Sequence, residues 1–404
     1  VGAVSVDSLS PFGRASTAPL AGRTILQLVP PRAAGGDEGS TLAIAAALVE
    51  AGARALVASD ASALASEIQA VGGLHLPFPA SSDNPLAMAL NVRRLARVLK
   101  SERVDLVHAR SRSAAWVALG ACRRLNLPVV TTIPGEGPAR GPRSSFESAP
   151  AGGGLVVAAS QFAADRAANV FPGVPQRLRI VRPGLDFARL APDLVSRQRV
   201  AAARESWGAE PHEKVVLAPA RFLPVRGARL VIDAAALLME KGVSEIRFAL
   251  AGDAARASFA RELDAIAAAR GVKAVVARVG ALADPPAAFV GASVAVFAAS
   301  EPGGVGRSAM EAAAMGALVV AAEVGPAREI VLAPPQASHE QRTGWIVPPG
   351  DAGALAAAVE SALTIGASAR DAMRRRARAR IVELYSLERM RRDMLGVYAE
   401  ALGR

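Results

Sequence analysis

The stretch VAVFAASEPGGVGRSAMEAAAMGALVVAAEVGPAREIV, residues 294–331, decides how this chain folds. It begins as an apolar run with β-branched residues and a phenylalanine, then breaks at Pro302-Gly303-Gly304. An Ala-rich segment ends at Gly316, and a second apolar run follows over residues 318–322. The pattern is strand, tight loop, helix, strand. Gly303, Gly304 and Gly306 sit where the first strand hands over to the helix. Without side chains in the way, backbone N–H groups there can approach an anion, and the helix dipole favours negative charge. A phosphate-bearing ligand is the chemistry this suggests. Glu311 falls about one and a half turns into the helix, a place from which a carboxylate can accept hydrogen bonds from sugar hydroxyls. The plainer alternative is a turn that is tight only for the fold, with Glu311 on a solvated face, and the loop alone does not separate the two.

Outward from this stretch the same alternation recurs. TILQLVP from Thr24 reads as a strand, Gly35-Gly36 as the loop after it, and a helix runs from the N-cap Ser40 to a stop at Gly52. Strands are expected at 54–59, 74–79, 105–110, 128–133, 154–160 and 177–184, with helices near 61–71, 85–102, 113–125 and up to Phe171. Residues 135–153 are rich in Gly, Pro and Ser and read as a loop. After a polar helix ending at Trp207 the alternation restarts with strands at 215–220, 246–252 and 272–280, and three polar helices close the chain. Strands alternating with helices mean parallel sheets covered on both faces, here as two Rossmann-like α/β domains hinged near residue 186 with a cleft between them. Ligands in such sheets bind beyond the carboxyl ends of the strands, which puts Gly35, Gly36, Arg110 and the Pro134-Gly135 turn on one rim.

At 404 residues, 51% hydrophobic and 4% aromatic, the chain is long enough for two full cores of helices packed closely on sheets. The single cysteine, Cys122, rules out a disulfide framework and reads as a small buried hydrophobe. His75, His108, His212 and His339 lack metal-ligand spacing, so no metal site is expected. A net charge of +11 draws the molecule to anionic surfaces. Few aromatics and no recognisable motif argue against specific nucleic-acid binding. No apolar run approaches the ~20 residues of a membrane span. Residues 1–22 read as a mobile tail rather than a signal peptide, and the sequence, which lacks an initiating Met, does not say whether residues precede Val1.

Two basic faces stand out. On the 85–102 helix, Met88, Val92, Leu95 and Leu99 make the buried stripe and Arg93, Arg97 and Lys100 lie opposite. The run Arg370, Arg374, Arg375, Arg376, Arg378 and Arg380 is denser. A solvated face is the plain reading of both, and docking to a membrane surface is the sharper one.

From about residue 22 to 403 the sequence resembles the family 4 glycosyltransferases of the retaining GT-B type. The glycine pair of that family beside the donor diphosphate matches Gly35-Gly36. Its Arg and Lys clamp matches Arg221 and Arg226 in ARFLPVRG, with Arg in place of Lys, and its ribose-binding glutamate matches Glu311. VVAAEVGPAREIV and TGWIVPPGD also resemble the family's wording. The chain departs from it twice. Gly303 stands where the first signature glutamate belongs, eight residues before Glu311, with Glu301 two residues upstream, and Pro134 stands where the family places a histidine.

The resemblance implies a first, acceptor-side domain over 23–185, a nucleotide-sugar-binding domain over 186–383, and a closing helix over 384–404 that packs back toward the first. It implies transfer of a hexose from a nucleotide-diphosphate sugar to an envelope lipid or polysaccharide, without a metal or other cofactor, in the cytoplasm and at the inner face of the membrane. Arg221, Arg226 and Glu301 would serve catalysis, and Gly35, Gly36, Gly304, Gly306 and Glu311 would bind the donor. Departure of a nucleoside diphosphate develops charge on phosphate oxygens, which two guanidinium groups and helix-terminal amides can stabilise. Oligomeric state and protein partners are not specified. Two alternatives stay open. One is a catalytically degenerate relative that binds or scaffolds. The other is a dinucleotide-binding protein, since Gly304, Gly306 and Ala309 also fit that fingerprint, with Glu323 as the ribose acid.

Overall fold

The computed structural model of the chain describes residues 20–29, 37–60, 64–79, 84–133, 145–219, 227–252, 257–302 and 306–403. It divides into two compact units, one of Val1–Gly184 with Leu387–Arg404 and one of Leu185–Ser386.

In the first unit the strands are β1 (Thr24–Leu28), β2 (Arg54–Ser59), β3 (Leu74–Pro77), β4 (Leu106–Ala109), β5 (Val129–Thr132), β6 (Leu155–Ala158) and β7 (Leu178–Ile180). They form one seven-stranded sheet in the order β3-β2-β1-β4-β5-β6-β7, every pair parallel. Its helices are α1 (Asp37–Glu50), α2 (Ala65–Ala70), α3 (Pro85–Ser101), α4 (Arg112–Leu125), α5 (Ser145–Ser148) and α6 (Gln161–Val170). Successive strand residues face opposite ways, so Leu26, Leu56 and Val107 pack under α3 and α4 while Ile25, Val57 and Leu106 pack under α1. That is why TILQL is buried along its whole length, the polar Thr24 and Gln27 included. Met88, Val92, Leu95 and Leu99 are all buried, the stripe expected of α3. Asn84 caps that helix by accepting from Leu86 N at 2.9 Å, and Ser111 caps α4 by accepting from Ala114 N at 3.1 Å. Cys122 is buried in α4, and desolvation pushes its thiol up to about 12, which leaves it an inert packing group.

The second unit contains α7 (Arg197–Ser206), β8 (Lys214–Pro219), α8 (Ala228–Glu240), β9 (Ile246–Ala251), α9 (Ala257–Ala269), β10 (Val276–Gly280), α10 (Pro285–Gly291), β11 (Val294–Phe297), α11 (Arg307–Ala314), β12 (Leu318–Ala322), α12 (Ala327–Ile330), β13 (Gly344–Val347), α13 (Ala352–Thr364) and α14 (Ala367–Tyr385). Its six-stranded sheet runs β10-β9-β8-β11-β12-β13, again wholly parallel. The closing helices are not uniformly polar as the sequence suggested. Leu355, Ala356, Val359 and Leu363 of α13 are buried in a core with Val294, Leu318 and Trp345.

The arginines of α14 do not form the wholly solvated face that is the plain reading of the basic run. Only Arg375 is exposed; Arg370, Arg374, Arg376, Arg378 and Arg380 are half-buried. Arg378 donates to Leu190 O at 2.9 Å and also to Ala314 O, the last residue of α11, and Arg380 donates to Glu329 O at 2.8 Å in the last turn of α12. Helix ends leave carbonyls unsatisfied, and here guanidinium groups from a neighbouring helix satisfy them. The chain then returns to the first unit as α15 (Leu387–Ala401), where Met390, Met394, Val397 and Tyr398 are buried with Ile44 and Leu48 of α1.

Candidate active site

In each sheet the strand order reverses direction once, between β1 and β4 and between β8 and β11. At such a switch the connections on either side diverge and leave a crevice outside the carboxyl ends. In the second unit the chain leaving β8 carries Arg221 and Arg226, and the chain leaving β11 carries Glu301 and the glycines. The two exits meet where the structure describes them. Gly227, which starts α8 with φ +80°, lies so close to β11's continuation that a Cβ built on it would overlap the carbonyl oxygen of Ala298. Only glycine permits both that backbone and that approach.

From β11 the chain turns through exposed Glu301 and enters α11 at Gly306. Among the described residues no side chain caps this helix. One turn in, Arg307 Nε donates to Glu311 Oε1 at 2.8 Å, with side-chain exposures of 34% and 19%. Burial raises the Glu311 pKa above its usual value, and the charge and hydrogen bond of Arg307 oppose that rise. The plainer alternative, Glu311 on a solvated face, therefore does not hold. Its carboxylate is largely withdrawn from water and held by a cation on the same helix.

A second polar cluster lies at the switch of the first sheet. Arg110, directly after β4, donates through Nη1 to Thr41 Oγ1 at 2.7 Å and to Gln27 Oε1 at 3.4 Å. Beneath it His108 is fully buried, its Nδ1 2.8 Å from the Tyr398 hydroxyl and its Nε2 2.8 Å from the Thr132 hydroxyl. Burial first, then the charge of Arg110, holds the His108 pKa well below the usual 6.5, so the ring is neutral and one nitrogen donates while the other accepts. This network pins α15 to the centre of the first sheet.

Of the residues singled out from sequence, Glu301, Gly306 and Glu311 are brought to one segment at the carboxyl edge of the second sheet. Gly35, Gly36, Pro134, Arg221, Arg226, Gly303 and Gly304 lie outside the described residues. Glu323, the ribose acid of the dinucleotide alternative, is bound through both carboxylate oxygens by Arg328, at 2.5 and 2.8 Å. Sequence reasoning missed Arg307, Gly227 and the His108–Tyr398 pair. A histidine inside an apolar strand and an i, i+4 spacing of Arg and Glu were the available signals for two of them.

Comparison with known proteins agrees with this arrangement. The family model for glycosyl transferases group 1 matches residues 200–380, and that for Glycosyltransferase Family 4 matches residues 34–189. A D-inositol 3-phosphate glycosyltransferase of Jonesia denitrificans is 28% identical over 317 residues, which covers 73% of this chain and 71% of the relative. One from Mycobacterium ulcerans is 30% identical over 57% of this chain and 46% of its own length. Among solved structures, a glycosyltransferase from Rickettsia africae superposes with a TM-score of 0.82 at 25% identity, covering 94% of this chain and 99% of that one. Anabaena Alr3699/HepE in complex with UDP and glucose superposes with a TM-score of 0.76 at 20% identity, covering 94% of this chain and 100% of that one. With one model on each half and two parallel-sheet units of matching architecture, the chain belongs to the family 4 glycosyltransferases of the GT-B fold.

Proposed function

We propose that the protein transfers a hexose from a nucleotide-diphosphate sugar to a hydroxyl of an envelope lipid or polysaccharide, with retention of configuration. The observation that carries the reading is the convergence at the second sheet's switch point. There the glycine approach of Gly227 to Ala298 brings the β8 and β11 exits together, and the helix that follows β11 carries a half-buried carboxylate, Glu311. A nucleotide fits that chemistry, since Glu311 accepts from ribose hydroxyls while the backbone amides of Gly304 and Gly306 meet the diphosphate.

The bond from sugar C1 to the diphosphate oxygen breaks, and its electron pair goes to that oxygen. Arg221 and Arg226 stabilise the resulting charge, so no metal is needed for it. The acceptor oxygen then bonds to C1 from the face the diphosphate has left, and its proton passes to the departing phosphate oxygen. Glu301, at the β11 exit, is the carboxylate available to the sugar hydroxyls in place of the residue at Gly303.

A second acceptor has a specific observation behind it, the relatives named for D-inositol 3-phosphate. One experiment tests both. Purified protein is incubated with UDP-, GDP- and ADP-sugars and either a lipid extract or D-inositol 3-phosphate, the released diphosphate is measured, and the anomeric configuration of the product is read by NMR. Acceptor-dependent release with a retained anomer supports transfer. Nucleotide binding without release from any donor makes the chain a non-catalytic relative.

A further inference from the structure

We propose that the outward face of α3 is a docking surface for an anionic phospholipid bilayer. Among the exposed large hydrophobic residues are Leu86 and Leu90, at 78% and 51% of their full exposure, four positions apart on this helix. Arg93, Arg97 and Lys100 continue the same line toward the carboxyl end, all exposed, with Arg94 beside them. At the helical 100° per residue these five positions fall within an arc of about 80°, along roughly 20 Å of helix. The sequence of α3 contains no acidic residue, nor does that of the adjoining α4, whose last turn adds exposed Arg123 and Arg124. Glu102, just past the end of α3, is already taken by Arg54, at 2.5 Å.

Leucines in line with cations suit one occupant. A bilayer takes apolar side chains below its headgroups and gathers arginine and lysine at its anionic surface. A nucleic acid offers phosphates but no place for the leucines, and the face has no aromatic side chain for base stacking. The other basic helix does not compete, because five of its six arginines are half-buried and three of those reach backbone carbonyls. Among the described residues no single helix is long and apolar enough to cross a membrane, so the contact is peripheral. This deepens the lipid-acceptor reading above, yet it is measured without donor or acceptor and stands or falls separately from transfer.

The test is flotation of the full chain with vesicles of phosphatidylcholine alone or with phosphatidylglycerol at about three to one. Binding is expected to the anionic vesicles only and to weaken with salt. Each cation brought to such a surface contributes about fivefold, so R93Q/R97Q/K100Q should bind roughly 100-fold more weakly. L86S/L90S should lose at least roughly tenfold, whereas Arg375→Gln on α14 should bind like wild type. Thermal melts confirm that these surface variants fold. Absence of binding, equal binding to neutral vesicles, or an unchanged triple variant would overturn the proposal. So would normal vesicle binding by the leucine variant, which would mark a general polyanion surface.

Discussion

Arg307→Gln probes the ion pair in the first turn of α11. The pair is ordered cation first, with Arg307 at the amino end of α11, where a positive side chain opposes the helix dipole. Local helix stability therefore does not account for it, and its effect is on Glu311. Burial favours the neutral acid and Arg307 favours the carboxylate. A hydrogen bond to a charged group is worth about 1.5–3 kcal/mol, and partial solvation of the Arg307 side chain brings this to about 1–2 kcal/mol. For a unit of this size the loss corresponds to a fall in Tm of roughly 2–8 °C. The sign with pH follows from linkage. An acid whose folded pKa is raised holds its proton more tightly when folded, so it favours folding below the unfolded value of 4.5, and that contribution is lost as pH rises through the folded value. Removing Arg307 raises the folded value further. The deficit of the variant should be full at mildly alkaline pH, where Glu311 must be ionised, and should shrink toward zero below 4.5, where the acid is neutral in both proteins. Thermal melts of wild type, Arg307→Gln and Arg307→Lys at the two pH values measure it. Lysine can supply the single hydrogen bond and should recover most of the loss. In the proposed donor role, nucleotide affinity by calorimetry should fall roughly tenfold in Arg307→Gln and return in Arg307→Lys. A deficit that is the same at both pH values, or smaller than about 0.5 kcal/mol in alkali, would refute the reasoning.

Three further outcomes are expected. Gly227→Ala forces a left-handed backbone costing about 1–2 kcal/mol on an L residue, besides its overlap with Ala298, so it should lower Tm and abolish donor turnover; an active, equally stable variant would show that the two exits do not touch. Tyr398→Phe strands a buried His108 nitrogen and should destabilise the first unit by about 1–3 kcal/mol in urea, and a loss under about 0.5 kcal/mol would show that the hydroxyl is not the partner. Arg221→Ala should remove most donor cleavage; undiminished turnover removes that arginine from the mechanism.

The alternation of strand and helix was legible because parallel strands buried on both faces become continuous apolar runs, as VAVF does. The placement of Gly306 and Glu311 at the start of a helix was legible because it depends on local spacing along a single strand-loop-helix unit. What stayed hidden depends on distance along the chain. Nothing near Tyr398 in sequence says that its hydroxyl meets a histidine 290 residues away, and nothing near Arg378 says that it reaches Ala314, 64 residues off. Charge density misled for the same reason. The C-terminal run is richer in arginine than α3, yet α14 lies on α11 and its guanidinium groups face carbonyl oxygens of the second unit. A helix that must satisfy its neighbours' ends cannot also present those groups to a bilayer, whereas α3, sealed to the sheet by Met88, Val92, Leu95 and Leu99, leaves its leucines and cations outside. In the docking proposed for α3, the choice between the two basic helices thus rests on which carbonyls are left uncapped elsewhere in the fold.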